Sequence, residues 1–203
     1  MPKSINRRLI NIELDKILPT LKGNLILDMG GKQRRLTSYF KDKTYVSIDL
    51  KPGRKDPLMI KGDGHHLPFQ DNTFDIVIST AVIEHTKFPW IIFEEFSRVL
   101  KKEGKLVLSW PWLYVYTHDD YWRLHIQAVK WLAEKNNLKL DYYIEIGGML
   151  TNLAMQLMYI VEAKVKIKSL RNFFDSILYK MAAKDKKYNT RKHTSSFIAV
   201  LTK

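Results

Sequence analysis

The sequence has 203 residues and no cysteine. That excludes disulfides, thiolate metal sites and a cysteine nucleophile, and it points to a cytoplasmic chain. A long apolar run is also lacking. The longest uncharged stretch, 146–161, falls short of the ~18–20 residues that a membrane span needs. It also carries Thr151, Asn152 and Gln156. The N-terminal MPKSINRRLI is basic but has no apolar core of a signal peptide. These absences predict a soluble protein. Acidic residues are in deficit: 21 Asp and Glu stand against 34 Lys and Arg, a net charge of +13. Such an excess suits an anionic partner, whether nucleic acid, phosphorylated substrate or membrane surface. The excess is uneven, because ten Lys/Arg and two Asp/Glu fall within 163–192. No internal repeat or low-complexity tract is present. With 45% hydrophobic residues, the chain predicts a single domain over 1–203.

What is present alternates between strand and helix patterns. Ile5, Leu9 and Ile12 fall at helical spacing, and Pro19 closes that helix. NLILDM is a continuous apolar strand, and a helix is expected over 34–40. TYVSIDL is a second strand ending at Asp49. LMIKGD is a short third strand ending at Asp63. FDIVIST, apolar on both faces, is a fourth. Ile92, Phe96, Val99 and Leu100 mark a helix face, with Gly104 just past its end. KLVLSW is a fifth strand. Leu124, Ala128, Trp131 and Leu132 mark another helix, and LKLDYYIEI and SSFIAVLTK are two late strands. The expected fold is α/β, a doubly wound, mostly parallel seven-stranded Rossmann-like sheet with a late antiparallel strand. A basic helical insertion, 147–192, precedes the last strand.

Ligands in such sheets bind at the carboxyl ends of the strands. Gly30 follows strand one, and Asp49 ends strand two. Asp63 and Gly64 end strand three, and Ser79 and Thr80 end strand four. A carboxylate after strand two matches a vicinal ribose diol. One after strand three can accept from an adenine amine. A dinucleotide wants G-x-G-x-x-G for its pyrophosphate, but Lys32, Gln33 and Arg35 occupy the places of bare backbone. S-adenosyl-L-methionine has no phosphate, and its carboxylate tail could meet Lys32 or the turn amides.

LILDMGGKQRRL, YVSIDL, GDGHHLPFQDNTFDIVISTAVIEH and EEFSRVLKKEGKLVLSWPW resemble the successive motifs of class I S-adenosylmethionine-dependent methyltransferases, closest to the type-11-like group. The resemblance covers 25–146 plus the final strand. It implies a cofactor site at Asp28, Gly30, Gly31, Lys32, Asp49, Leu50, Asp63, Gly64, His65, Ser79 and Thr80. Lys32 departs from the pattern, standing where most relatives have a second glycine. SWPWLYVYTHDDYWRLHIQAVKWLAEKNNL further resembles members linked to surface-glycan or glycolipid biosynthesis.

Methyl transfer from a sulfonium is a displacement that depends on alignment, with a base needed only for a hydroxyl-like nucleophile. The candidate catalytic residues are His85, His118, Asp119, Asp120 and Tyr121. Asp119 or Asp120 could equally cap a helix beginning near Tyr121, and His85 could fix its loop. His65 and His66 read as loop residues, and no metal is expected. Trp110, Trp112, Tyr114 and Tyr116 alternate along one side of an extended segment. They form either a platform for a sugar or base, or packing under the insertion.

In the insertion, Leu170, Phe173, Phe174, Ile177, Leu178 and Met181 make one apolar stripe, and Leu150, Leu153, Ala154, Leu157 and Val161 another. Lys164, Lys166, Lys168, Arg171, Lys180 and Lys184 surround them. Two readings stand: peripheral contact with an anionic membrane, at its inner face, or a lid with a solvated basic face. The function expected is methylation of a small-molecule, sugar or lipid-linked glycan acceptor. Its rivals are an RNA methyltransferase, which lacks a recognisable RNA-binding module here, and a catalytically silent partner-binding module. An NAD oxidoreductase is a distant third.

Overall fold

The computed structural model describes residues 4–53, 55–113, 120–185 and 193–203. Its strands are β1 Leu25–Met29, β2 Thr44–Asp49, β3 Met59–Lys61, β4 Phe74–Thr80, β5 Leu100–Pro111, β6 Lys139–Ile146 and β7 Ser196–Thr202. They make one sheet in the order β3-β2-β1-β4-β5-β7-β6. The first five run parallel, and β7 is antiparallel to both β5 and β6. This is the expected doubly wound sheet. Ile76, Val77 and Ile78 of β4 are all buried, because helices cover both faces. On one face α2 (Pro89–Val99) and α3 (Ile126–Lys135) bury Ile92, Phe93, Phe96, Val129 and Leu132. On the other, α1 (Ile5–Ile17) lays Ile10, Leu14 and Ile17 over Ile26, Ile76 and Ile78. The strand order reverses between β1 and β4, and there a crevice opens at the carboxyl ends.

Several local expectations are corrected. The segment 34–40 is no α-helix; it holds turns and one 3₁₀ turn, Thr37–Tyr39. Arg34 adopts φ +48°, and its buried guanidinium bonds the Asp56 carboxylate and, at 2.7 Å, the Tyr45 carbonyl. A left-handed residue anchored inward cannot open a right-handed helix. The third strand ends at Lys61, so Asp63 and Gly64 lie in the loop beyond it. Gly104 terminates no helix: α2 stops at Val99, Leu100 starts β5, and the left-handed position is Glu103, φ +62°. α3 begins at Ile126, where the His125 ring nitrogen accepts the Gln127 N–H at 3.3 Å. Asp120 is therefore not its cap. α3 buries Ile126, Val129, Leu132 and Ala133, while Trp131 is exposed. In α1 the buried face is Ile5, Ile10, Leu14 and Ile17 rather than Ile5, Leu9 and Ile12. That helix serves two neighbours, and Leu9 packs at the border between them.

Between β6 and β7 lie α4 (Met149–Lys164) and α5 (Lys168–Ala182). Asp185, just after α5, accepts N–H groups at the start of α4, from Leu150 at 3.1 Å and Thr151 at 2.7 Å. The two helices are thus clamped side by side in opposite directions. They attach to α1: Ile5 packs with Ala154, Met155, Met158, Leu178 and Ala182, and Arg8 pairs with Asp175. The predicted leucine stripe of α4 is not the buried one. α4 buries Thr151, Ala154, Met155 and Met158. Small and flexible side chains allow the close approach to α1 and α5. No described helix is long and apolar enough to cross a membrane.

Candidate active site

The turn after β1 is built by its glycines. Gly30 has φ +81°, which favours glycine, and its N–H bonds the Ile48 carbonyl at 2.8 Å. A Cβ there would run into Val82, in the loop after β4. A Cβ on Gly31 would run into the Asp28 carboxyl. Asp28 itself is buried, receives the Tyr45 hydroxyl, and is pushed up to about 6 by burial, against the pull of that bond and of Arg35. It supports the turn from beneath.

Above the turn lies a cleft of about 760 Å³ at the strand ends, a size that suits a small organic ligand. The structure brings Gly30, Lys32, Asp49, Leu50, Asp63, Gly64, His65 and Thr80 into its wall. It leaves Asp28, Gly31 and Ser79 outside that wall; Ser79 is buried within the sheet. One Asp49 oxygen accepts the Lys51 N–H at 2.8 Å, which fixes the carboxylate at the end of β2. Asp63 accepts the His65 N–H at 2.9 Å and faces the His65 ring nitrogen at 2.7 Å. Burial raises the Asp63 pKa, but the His65 bonds outweigh it and hold the carboxyl below its usual range. A Cβ on Gly64 would lie 2.6 Å from the Met29 sulfur, so the loop backbone sits tightly on the end of β1. Ile48, Phe88, Ile91 and Ile92 give the cleft apolar walls; Arg7, Lys32, Arg35 and Lys87 give it cations.

A second cavity, about 170 Å³, adjoins it. Its wall combines the start of α1, the loop after β4, the end of β5 and the start of β7. Arg7, Ala81 and His85 belong to both walls. His85 Nδ1 lies 3.2 Å from an Asp120 oxygen, and Nε2 lies 3.8 Å from Glu84 Oε1. Asp120 also pairs with Arg123. The Glu84 carbonyl accepts N–H groups from Tyr121 at 2.7 Å and Trp122 at 3.2 Å, which pins the two loops together. Glu84 is only 3% exposed. Burial pushes its carboxyl up to about 7; Asp120 adds to the rise, while a backbone bond, His85 and Arg123 oppose it. Glu84 Oε2 and Ser109 Oγ are buried without a hydrogen-bond partner among the described residues. Both belong to residues lining this cavity.

Of the expected catalytic residues, His85 and Asp120 come together at this shared wall, and Tyr121 borders the larger cleft. His118 and Asp119 lie outside the described residues, as do Tyr114 and Tyr116. Trp110 is buried against Phe197, donates to the Leu124 carbonyl at 2.7 Å, and still lines the small cavity. Trp112 packs on His125. Sequence reasoning missed Glu84, Arg7 and Lys87. The signal for Glu84 was present, since an acid in VIEH follows directly on a buried strand. Arg7 had none, because only the docking of α1 carries it to the cleft. No group of three or more His, Asp or Glu suited to a metal ion is found among the described residues.

Residues 27–108 match the family described as a methyltransferase domain. Curated relatives include uncharacterized methyltransferases of Mycobacteroides abscessus, 29% identical over 57% of this chain and 52% of the relative, and of Mycolicibacterium gilvum, 34% identical over 43% and 40%. The chain thus spans about half the length, or less, of these relatives. Among solved structures, a SAM-dependent methyltransferase from Archaeoglobus fulgidus superposes with TM-score 0.63 at 16% identity, covering 97% of this chain and 94% of that one. A phosphoethanolamine N-methyltransferase from Haemonchus contortus, solved with S-adenosyl-L-methionine, gives 0.63 at 17% identity over 97% and 52%. Residues 27–108 are thus similar to a methyltransferase domain, and the solved structures share the fold of the whole chain.

Proposed function

We propose that the chain is a methyltransferase that uses S-adenosyl-L-methionine and acts on a hydroxyl of a small polar acceptor, a sugar or a lipid-linked glycan. The observation that carries this reading is one cleft shared by the Gly30 turn, Asp49 and Asp63, with a second polar cavity against it. The donor set fits a nucleoside without phosphates. Asp49 would hold the ribose hydroxyls, Asp63 the adenine amine, and the apolar walls the ring. Lys32, Arg35 or Arg7 would meet the carboxylate tail. When bound, the cofactor supplies a methyl group activated by a sulfonium.

The protein's own residues then orient the acceptor and handle its proton. His85, with Asp120 against its Nδ1, would take the proton of the acceptor hydroxyl. Glu84 and Ser109 would bond the acceptor's other polar groups. The motif likeness to surface-glycan enzymes supports the sugar reading. RNA is disfavoured, because a cavity of about 170 Å³ has no room for a stacked strand.

Calorimetric titration with S-adenosylhomocysteine, with NAD as control, tests the reading. Micromolar binding of S-adenosylhomocysteine alone is expected. Binding of neither would overturn it and leave a methyltransferase-fold module that binds a partner without catalysis.

A further inference from the structure

Among the described residues, half of the large exposed apolar side chains fall on α4, α5 and the turn between them. On α4, Leu153, Leu157 and Ile160 recur at i, i+4 and i+7; on α5, Leu170, Phe173 and Ile177 recur at i, i+3 and i+7, with Ile167 in the turn. Phe173 is 59% exposed and Ile167 64%. The opposite faces of both helices are already used against α1 and each other. A water-facing apolar surface of this extent marks a contact site.

Charge identifies what it contacts. Each stripe continues into a lysine, Lys164 on α4 and Lys180 on α5, with Lys184 just past α5 and Lys166 and Lys168 at the turn. The nearby acids do not balance them. Asp175 is turned inward to Arg8, and Asp185 is buried on the α4 amides. Only Glu162 is exposed on the described part of this pair. A second copy would bring the same positive rim against this one. A nucleic acid would leave the leucines and phenylalanine unused. We propose that the α4–α5 face docks on an anionic lipid bilayer, with the apolar stripes at the acyl boundary and the lysines among the headgroups. α1 joins this face to the small cavity, because Ile5 and Arg8 hold the helix pair while Asn6 and Arg7 line the cavity. An acceptor with a lipid anchor would then be presented from the bilayer beside the cavity.

Flotation of the whole chain with phosphatidylcholine vesicles, with and without phosphatidylglycerol, tests this. Binding to the anionic vesicles is expected to be at least about tenfold stronger and to weaken with salt. Leu157→Ser/Phe173→Ser/Ile177→Ser should lose about tenfold or more, as should Lys164→Glu/Lys168→Glu/Lys180→Glu. All these positions are surface positions, and unchanged circular dichroism would show the variants folded. No flotation with either vesicle, or variants that float like the wild type, would overturn the proposal. So would a dimer in sedimentation that Phe173→Ser disperses, which would give the face to a second copy. S-adenosylhomocysteine affinity, measured in parallel, separates failure of this proposal from failure of the cofactor reading.

Discussion

Asp49 and His85 carry different parts of the site and should fail differently. Asp49 is fixed at the end of β2 by the Lys51 N–H and lines the larger cleft. Asp49→Ala should weaken S-adenosylhomocysteine binding more than about tenfold, the loss of two hydrogen bonds to a charged group. Unchanged calorimetric affinity would remove Asp49 from the site. His85 stands at the wall between the two cavities. With any hydroxyl acceptor that turns over, His85→Ala should lower kcat by about 10²-fold or more while cofactor affinity stays within about twofold. An equal loss of cofactor affinity would make His85 a loop-fixing residue instead. Asp49 and Asp63 were legible because one is the last residue of its strand and the other lies just past its strand, and strand ends converge in a parallel sheet whatever the loops do. Asp28 misled for the same reason. It lies one residue inside the end of β1, so the carboxyl points into the packing with Tyr45 rather than out of the strand end. Asp120 was legible as a polar residue but not by role, because its role depends on which helix start lies next to it.

At the scale of elements, the strands were readable because runs such as DIVIS can be buried on both faces only inside a covered sheet. The helices were less so. The 34–40 segment has a helix-like pattern, yet its conformation is decided by Asp56 and the Tyr45 carbonyl, which capture Arg34 from outside the segment. For α4, periodicity alone ranked leucines above the Ala-Met face, and only the tight contact with α1 and α5 reverses that order. The clamp on this helix pair is testable. Asp185 satisfies two amides at the α4 start, where a carboxylate also complements the helix dipole. Asp185→Ala should cost about 1–2 kcal/mol and lower Tm by a few degrees. Asp185→Asn, which keeps an acceptor, should recover part of the loss. Equal Tm for wild type and Asp185→Ala in thermal denaturation would mean that the pair is held by its packing alone.

For the whole molecule, two sets of carboxyls set how stability answers to pH. Asp63, Asp75, Glu95 and Asp141 are held below their ordinary values because hydrogen bonds outweigh the desolvation that burial imposes. They contribute stability above the unfolded carboxylate range, and it is lost as the pH falls through their lowered values. Asp28 and Glu84 act the other way. Burial raises them to about 6 and about 7, so the folded chain holds protons that the unfolded chain has already released. Their contribution is complete below about pH 4 and disappears as the pH rises through 6 and then 7. For Asp28 the span is on the order of 3 kcal/mol. Stability should therefore peak at about pH 4, with Tm lower at pH 8 than at pH 5. Asp28→Asn tests the cause, because the amide oxygen can still accept the Tyr45 hydroxyl but carries no charge to desolvate. The variant should be more stable than the wild type at pH 8 and show a smaller drop between the two pH values. A wild-type Tm that rises from pH 5 to pH 8, or an Asp28→Asn profile parallel to it, would show that this carboxyl is ionised beneath the Gly30 turn and is supported there by Arg34 and Arg35.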